Sequence, residues 1–290
     1  MTPLPAREEN FRETSTFWSH GSETRTCWLD FETRPDDIVI SPPAKCGTTW
    51  LQQICALLVF SPGDLPAPLA DVSLWLDTPL IPQEDVRARL AAQRHRRIIK
   101  AHLPLDALPM REGVTYIIGA RHPLDAAVSL YHHMDNLVRK RMTLPPLREW
   151  LVSWIDEQVA EPASQPESLP GVLSHLTQAW LRRDEPPIVL VHYADLSAAL
   201  EGQMRRLADR LGIRIPDDRW PELVRKSTFT AMREDADRLA PRVSFKDRTA
   251  FFRTGRSGAG RESLTEEELA RYHARAAALA PADLLTWLHR

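Results

Sequence analysis

The stretch from Asp37 to Phe60 constrains the fold more than any other part of the sequence. Its first residues, 37–41, are rich in β-branched apolar side chains, which predicts a short buried strand. A turn with Pro, Lys and Gly follows, and residues 50–60 form an amphipathic run typical of a helix. The unpaired backbone N–H groups and the positive dipole at the start of such a helix bind anions readily. Strand, turn and helix together favour a phosphate-binding loop.

This loop differs from the loop of nucleotide triphosphatases. Their pattern ends in Gly-Lys-Ser/Thr, and its hydroxyl binds Mg²⁺. Here Lys45 precedes Gly47, and no Lys comes directly before Thr48. Lys45 nevertheless supplies a positive charge, and Thr48 and Thr49 supply hydroxyl donors. For this stretch taken alone, a plain strand–helix junction with an incidental Lys remains the alternative.

Length and composition favour one domain over residues 1–290, because 43% of the side chains are apolar and can form a sizeable core. A formal net charge of −2 gives no bulk attraction to nucleic acid, so we expect no such partner. Cys27, Cys46 and Cys55 cannot all pair internally, which suits a reducing cytosol. The first residues lack the apolar core of a signal peptide, and no apolar run approaches the roughly 20 residues that span a bilayer. We therefore expect a cytoplasmic protein without stable membrane insertion.

Strands and helices alternate along the rest of the chain. Further strands are predicted over residues 97–104, which run into a turn, and over 114–120 and 186–193. Helices are predicted over 84–95, 124–138, 147–159, 171–182 and 196–211. This alternation predicts an α/β fold with a short central parallel sheet flanked by helices. Ligands bind at the carboxyl ends of such strands. The residues that fall there are Lys45, Lys100, His102 and Arg121.

Three smaller features complete the predicted architecture. Residues 1–35 are polar with scattered aromatic side chains, which indicates a lead-in segment that packs on the domain or lines a pocket mouth. Asp195 is predicted to cap the helix over 196–211. Residues 248–261 are predicted to form a loop, after which Thr265 and Glu268 form a capping box for the last helix.

Lys100 and His102 lie two residues apart at a strand end, so an extended backbone places both side chains on one face. A His side chain can take a proton from an acceptor hydroxyl, and a Lys can neutralise charge that builds on a leaving phosphate. The pair therefore suits transfer of an anionic group to an alcohol or phenol. A capping His beside a surface Lys is the structural alternative.

The sequence Lys45-Cys46-Gly47-Thr48-Thr49-Trp50 resembles the Lys-Ser-Gly-Thr-Thr-Trp loop of the cytosolic-type sulfotransferases. In that family the loop holds the 5′-phosphosulfate of 3′-phosphoadenosine 5′-phosphosulfate (PAPS). Residues 100–104 resemble the family's Lys-Thr-His-Leu-Pro, whose His is the catalytic base. The matching stretches follow in order, so the resemblance spans residues 36–265. The Arg- and Ala-rich composition favours a bacterial member.

The resemblance also implies the residues that hold the 3′-phosphate. Residues 121–129 are similar to the family's Arg-Asn-Pro-Lys-Asp-Val-Ala-Val-Ser, in which Arg and Ser bind this phosphate, so it implies the same role for Arg121 and Ser129. Arg253-Thr254-Gly255 resembles Arg-Lys-Gly, with Thr254 in place of a cation. Without the family, an ion pair between Arg121 and Asp125 is an equal alternative.

An adenine site follows from the same resemblance. Trp50 and Phe229 match the stacking aromatic residues, Tyr193 matches the adenine-contacting Tyr, and Ser227-Thr228-Phe229 resembles Thr-Ser-Phe. Without the family, each of these aromatic residues is more often plain core. Cys46 stands where Ser is usual. The helix start beside it lowers the pKa of a thiol, so a role beyond replacing Ser stays open.

The resemblance implies direct transfer of a sulfuryl group from PAPS to a hydroxyl of a small, hydrophobic alcohol or phenol, without a metal. The histidines have no Cys or acidic partner at metal-ligand spacing. Apolar loops over 61–82 and 139–170 are the candidate acceptor site, with Trp75, Leu76, Met134 and Trp150 as its candidate residues.

Three questions remain open at this point. The family's dimer segment Lys-x-x-x-Thr-Val reads Arg261 to Thr265-Glu266 here, so we expect a monomer or a different dimer. A P-loop-type, ATP-dependent kinase of small molecules is one alternative function, although the chain lacks the Gly-Lys-Ser/Thr loop. A non-catalytic protein that binds adenosine 3′,5′-bisphosphate (PAP) is the other.

Overall fold

The computed structural model describes residues 27–61, 63–78, 80–138 and 143–290. Within these ranges four parallel strands form one sheet in the order β2-β1-β3-β4. The strands are β1 (Ile38–Ile40), β2 (Ile98–Lys100), β3 (Thr115–Ala120) and β4 (Ile188–His192). In their register, Ile38 lies opposite Ile98 on one side and Thr115 on the other. The predicted α/β fold with a short parallel sheet is confirmed.

Helices flank this sheet and connect its strands. They are α1 (Thr48–Phe60), α2 (Leu69–Val72), α3 (Gln83–Ala92), α4 (Pro123–Asn136), α5 (Leu147–Asp156), α6 (Leu169–Leu181), α7 (Tyr193–Ala198), α8 (Leu200–Arg210), α9 (Trp220–Lys226), α10 (Phe229–Glu234), α11 (Ala236–Leu239), α12 (Ala259–Glu262), α13 (Glu266–Leu279) and α14 (Ala282–Leu288).

Both faces of the sheet are buried, which explains why its strands are almost continuously apolar. Alternate residues of a strand point to opposite faces. Val39, Ile99 and Ile118 belong to the apolar cluster that includes residues of α4, α5, α6 and α13. Ile38 and Ile40 belong to the cluster on the other face, with residues of α1, α8 and α9. The sheet is therefore the rigid middle layer from which the loops at its carboxyl edge project.

The segment after β4 differs from the prediction. The helix predicted over 196–211 is two helices, α7 and α8, which meet at Ala199, where the backbone has φ −145° and ψ 58°. The predicted cap Asp195 is wrong, because Asp195 lies inside the first turn of α7. His192 caps this helix instead, since its imidazole accepts a hydrogen bond from the backbone N–H of Ala194 at 3.1 Å.

The predicted loop over 248–261 contains a 3₁₀ turn, Thr249–Phe251, and the short helix α12. The carboxylate of Asp125 on α4 accepts hydrogen bonds from the N–H groups of Gly258 and Gly260 at 2.8 and 2.9 Å. These bonds hold the segment against α4. The predicted capping box of Thr265 and Glu268 is confirmed. It begins α13, which is followed by α14 and is not the last helix.

Part of the predicted lead-in lies outside the described residues. Its described end packs into the core, where Trp28 and Phe31 are buried. Cys27, Cys46 and Cys55 are buried and unbridged. In the part of the chain that the structure describes, no helix is long and apolar enough to cross a bilayer.

Candidate active site

A cavity of about 140 Å³ lies at the carboxyl ends of the strands. It collects most of the predicted site residues, which come from six separate stretches of the chain. Those that line it are Lys45, Gly47, Thr48, Thr49, Trp50, Lys100, His102, Arg121, Ser129, Tyr193, Phe229, Arg253, Thr254 and Gly255. Cys46 and Ser227 are buried and are not among its lining residues.

The loop between β1 and α1 turns sharply at two residues with left-handed backbone. Lys45 has φ 64° and Gly47 has φ 90°. Left-handed backbone disfavours residues with a side chain, and a Cβ at Gly47 would also contact the ring of Tyr193 at 3.4 Å. No side chain caps the start of α1. Its first N–H groups, which have no partner within the helix, therefore lie at the edge of the cavity with Thr48 and Thr49.

Cys46 is a buried thiol beside this loop. The expected lowering of its pKa by the helix start is wrong, because burial raises the pKa of the thiol to about 12. The side chain is 2% exposed. A protonated, inaccessible thiol is consistent with a packing role.

Two lysines bring positive charge into the cavity. The Lys45 Nζ lies 4.7 Å from the ring centre of Phe251, and the Lys100 Nζ lies 4.1 Å from that of Trp75. Loss of hydration, together with the positive charges of Lys100 and Arg121, lowers the pKa of Lys45 to about 7. Loss of hydration also lowers the pKa of Lys100 to about 8. A bound polyanion would offset both effects.

His102 is held in one orientation. Its Nδ1 lies 2.8 Å from the carbonyl oxygen of Pro42. A carbonyl only accepts, so Nδ1 carries the hydrogen and the neutral ring presents the lone pair of Nε2. The edge of Trp75 packs against this ring, with 5.5 Å between the ring centres. The hydrogen bond to Pro42 and the contact with Trp75 thus fix the orientation of the imidazole in the cavity.

Arg121 is buried at the same edge of the sheet. Its guanidinium stacks on Tyr193 at 4.3 Å, and one NH₂ group donates to the carbonyl of Arg256 at 3.0 Å. The Nε–H group has no hydrogen-bond partner among the described residues. Asp125, the alternative partner considered above, accepts instead from backbone N–H groups of α12 and the loop before it. Arg121 therefore keeps donors for a ligand, as phosphate recognition requires.

Aromatic side chains form one end of the cavity. Trp50 packs edge-on against Tyr193, with 5.2 Å between the ring centres, and its Nε1–H donates to the carbonyl of Ser227 at 2.8 Å. Ser227 thus acts through its backbone on Trp50. Gly255 lies against Phe229 so closely that a Cβ there would be 2.4 Å from the ring. The result is a flat, apolar slot beside the phosphate-binding groups.

A second cavity, of about 220 Å³, adjoins the first and shares Thr49, Lys100, His133 and Pro241 with it. Its walls are mostly apolar. They include Leu74, Trp75, Leu80, Ile81, Leu239, Pro241 and Val243. Of the candidate acceptor residues, Trp75 lines both the second cavity and the approach to His102, whereas Leu76 and Trp150 lie in the core. The described residues of the 139–170 loop do not line either cavity.

Sequence reasoning missed His133, Phe251 and Phe252, which line the first cavity. His133 follows Ser129 by four residues on α4, so helical periodicity places the two side chains on one face. That spacing could have identified His133 as a residue of the site. The roles of Phe251 and Phe252 depend on how the 249–252 turn packs, which the sequence does not indicate. No cluster of three or more metal-binding side chains occurs among the described residues.

The chain is similar to known proteins in sequence and in fold. A family model described as the sulfotransferase domain matches residues 35–279. A glycolipid sulfotransferase of Mycobacterium bovis is 39% identical, with 90% of each chain covered. Another, of Mycobacterium tuberculosis strain H37Rv, is 38% identical over the same shares. The crystal structure of mouse sulfotransferase SULT7A1 complexed with PAP is 19% identical and shares the fold, with a TM-score of 0.73 over 93% of this chain and 94% of that chain.

Proposed function

Because this chain belongs to the sulfotransferase family, we propose that it transfers the sulfuryl group of PAPS to a hydroxyl of a hydrophobic acceptor, with His102 as the base. One observation carries the proposal. The oriented imidazole of His102 and the ammonium group of Lys100 line the same cavity as the phosphate-binding loop. A base, a cation and an anion site in one cavity are what transfer of an anionic group to a hydroxyl requires.

The residues present fit PAPS. The uncapped start of α1, with Thr48 and Thr49, suits the 5′-phosphate. The unpaired Nε–H of Arg121 suits the 3′-phosphate, together with Ser129 and Arg253. The slot formed by Trp50, Tyr193, Phe229 and Gly255 suits a flat base. We assign the selection of PAPS over ATP to Arg121, Ser129 and Arg253, the residues proposed to bind the 3′-phosphate, because ATP has no charge at that position.

The chemistry is a single displacement. As the acceptor oxygen bonds to sulfur, its proton passes to Nε2 of His102, and the bond between sulfur and the bridging oxygen of the donor breaks. Negative charge then builds on that bridging oxygen. Lys45 and Lys100 neutralise it, and PAP leaves. No metal is needed in this scheme, because the lysines and the helix start carry the positive charge.

The acceptor is proposed to bind in the second, mostly apolar cavity, which meets the first at Lys100 and Thr49. This placement brings an apolar body against Trp75 and Leu74 and leaves a hydroxyl near His102. The names of the Mycobacterium relatives favour a glycolipid. An amphipathic lipid with a hydroxyl group fits both the apolar walls of the second cavity and the charged Lys100 where the two cavities meet.

Replacement of the base tests the proposal. We expect His102→Ala to lower turnover by about two to four orders of magnitude, the usual contribution of general-base catalysis. PAP affinity, measured by calorimetry in EDTA, should stay at the wild-type value, because the proposed phosphate contacts do not include His102. Full turnover in this variant would contradict the assignment. Preference of the wild type for ATP with Mg²⁺ over PAP would favour a kinase instead.

A further inference from the structure

His133 is a buried side chain that the proposed chemistry does not use. It lies one helical turn after Ser129 on α4 and is 8% exposed. Its ring lies at the boundary of the two cavities, since it lines both of them. Neither Nδ1 nor Nε2 has a hydrogen-bond partner among the described residues.

The other buried histidines in the described part of the chain behave differently. A ring nitrogen of His102, His175 and His192 lies 2.8, 2.9 and 3.4 Å, respectively, from a backbone carbonyl oxygen. His133 instead packs against the edges of Phe245 and Phe251, with 5.5 and 6.0 Å between the ring centres. A buried polar group without a partner is destabilising. Packing therefore accounts for the position of the ring but not for the choice of His.

The charges around His133 decide what it can bind. Burial lowers its pKa well below the usual range, and the nearby Lys45 and Lys100 lower it further. The ring is therefore neutral at physiological pH and presents one N–H donor and one lone pair. A hydroxyl group matches this pair, because it both accepts and donates. The terminal torsion of a His side chain is soft, so a turn of the ring can direct either nitrogen into a cavity.

We propose that His133 binds a second hydroxyl of the acceptor, next to the hydroxyl that is sulfated. The enzyme would then select amphipathic polyols, such as sugars joined to an apolar chain, over simple alcohols. The second cavity provides the matching apolar walls in Leu74, Trp75, Leu239 and Val243. This inference rests on the proposed function, whose reacting hydroxyl enters where the two cavities meet.

Two acceptors of equal chain length test the proposal: an alkyl glucoside and the corresponding alkanol. The measured quantity is the ratio of their kcat/KM values at saturating PAPS. We expect His133→Phe to lower this ratio about tenfold, which corresponds to about 1.4 kcal/mol of lost discrimination. His133→Gln should restore most of it, because its amide keeps a donor and an acceptor. His133→Met replaces the Phe variant if that one does not fold.

The neighbouring His132 provides the matched control, since it lines neither cavity. His132→Phe should leave the ratio unchanged. A folded, PAP-binding His133→Phe or His133→Met enzyme with the wild-type ratio would overturn the inference and leave the proposed function intact. A wild-type enzyme that sulfates neither acceptor would overturn both.

Discussion

The surroundings of Lys100 determine whether its side chain is charged near neutral pH. Loss of hydration lowers its pKa to about 8, whereas the carboxylate of Asp77 acts in the opposite direction. The ammonium form therefore dominates at neutral pH and is lost as pH rises through that value. Since only the cation can stabilise charge on the leaving oxygen, the rate of transfer should follow this titration.

A Lys100→Arg variant makes this dependence measurable. We expect kcat/KM of the wild type to fall twice as pH rises, first through about 7, where Lys45 loses its proton, and then through about 8, where Lys100 does. In the variant the second fall should shift to higher pH, because a guanidinium keeps its proton, while the rate at neutral pH drops through imperfect geometry. The kcat/KM profile is the right measurement, since it reports groups of the free enzyme. Identical alkaline limbs would exclude Lys100 as the titrating group.

Gly255 allows a second test at the residue scale. It has φ 65°, and a Cβ there would lie 2.4 Å from the ring of Phe229. We expect Gly255→Ala to displace the loop or the ring and to weaken PAP binding at least tenfold, measured by calorimetry. Gly202→Ala on α8 is the matched control, because nothing lies within 4 Å of its Cβ position. Wild-type PAP affinity in Gly255→Ala would show that the slot does not bind the base.

At the scale of elements, a short extended segment pairs with the end of β2. Leu76 donates its N–H to the carbonyl of Lys100 at 3.1 Å, and Lys100 donates to the carbonyl of Leu74 at 2.8 Å. This pairing sets Trp75 directly opposite Lys100. Asp77, two residues further on, is 5% exposed, and burial raises its pKa to about 6. It is thus ionised at neutral pH and favours the cationic form of Lys100.

Asp77→Asn should therefore move the alkaline limb of the kcat/KM profile to lower pH. The reason is that loss of a nearby negative charge lowers the pKa of Lys100 still further. Asp85→Asn, an equal change of charge at an exposed position of α3, should leave the limb in place. An unchanged limb in Asp77→Asn would mean that the two groups do not interact in solution.

The elements differ in how far the sequence predicts them. The strands, the loop at Lys45 and the capping box at Thr265 follow from local patterns, and the family resemblance read from those loops is confirmed by the match to the sulfotransferase domain. The break at Ala199 was not predicted, because the apolar residues of α7 and α8 follow the same helical period and look in the sequence like those of one continuous helix. The position of His133 between two cavities depends on Phe245 and Phe251, more than 100 residues away along the chain. Local patterns carry no information on such contacts.

At the scale of the whole molecule, the cavity joins segments that are distant along the chain. Its walls come from the loop after β1, the ends of β2 and β3, the start of α7 and the segment over 251–255. These parts meet around concentrated positive charge, from Lys45, Lys100, Arg121 and Arg253. A ligand with phosphates at both ends would link these segments and offset their mutual repulsion, so its binding should stabilise the entire fold.

The expected result is a thermal stabilisation that requires the 3′-phosphate. A ligand at 100 times its Kd stabilises the native state by about 2.7 kcal/mol. This corresponds to a rise in Tm of several degrees for a chain of this size. PAP in EDTA should produce such a rise, and AMP at the same concentration should produce much less, because it leaves Arg121 and Arg253 without a phosphate. Arg253→Gln should bring the PAP effect down towards that of AMP and leave the AMP effect unchanged. Equal shifts with PAP and AMP in the wild type would show that these arginines do not recognise a 3′-phosphate, and the assignment of the nucleotide would then have to be abandoned.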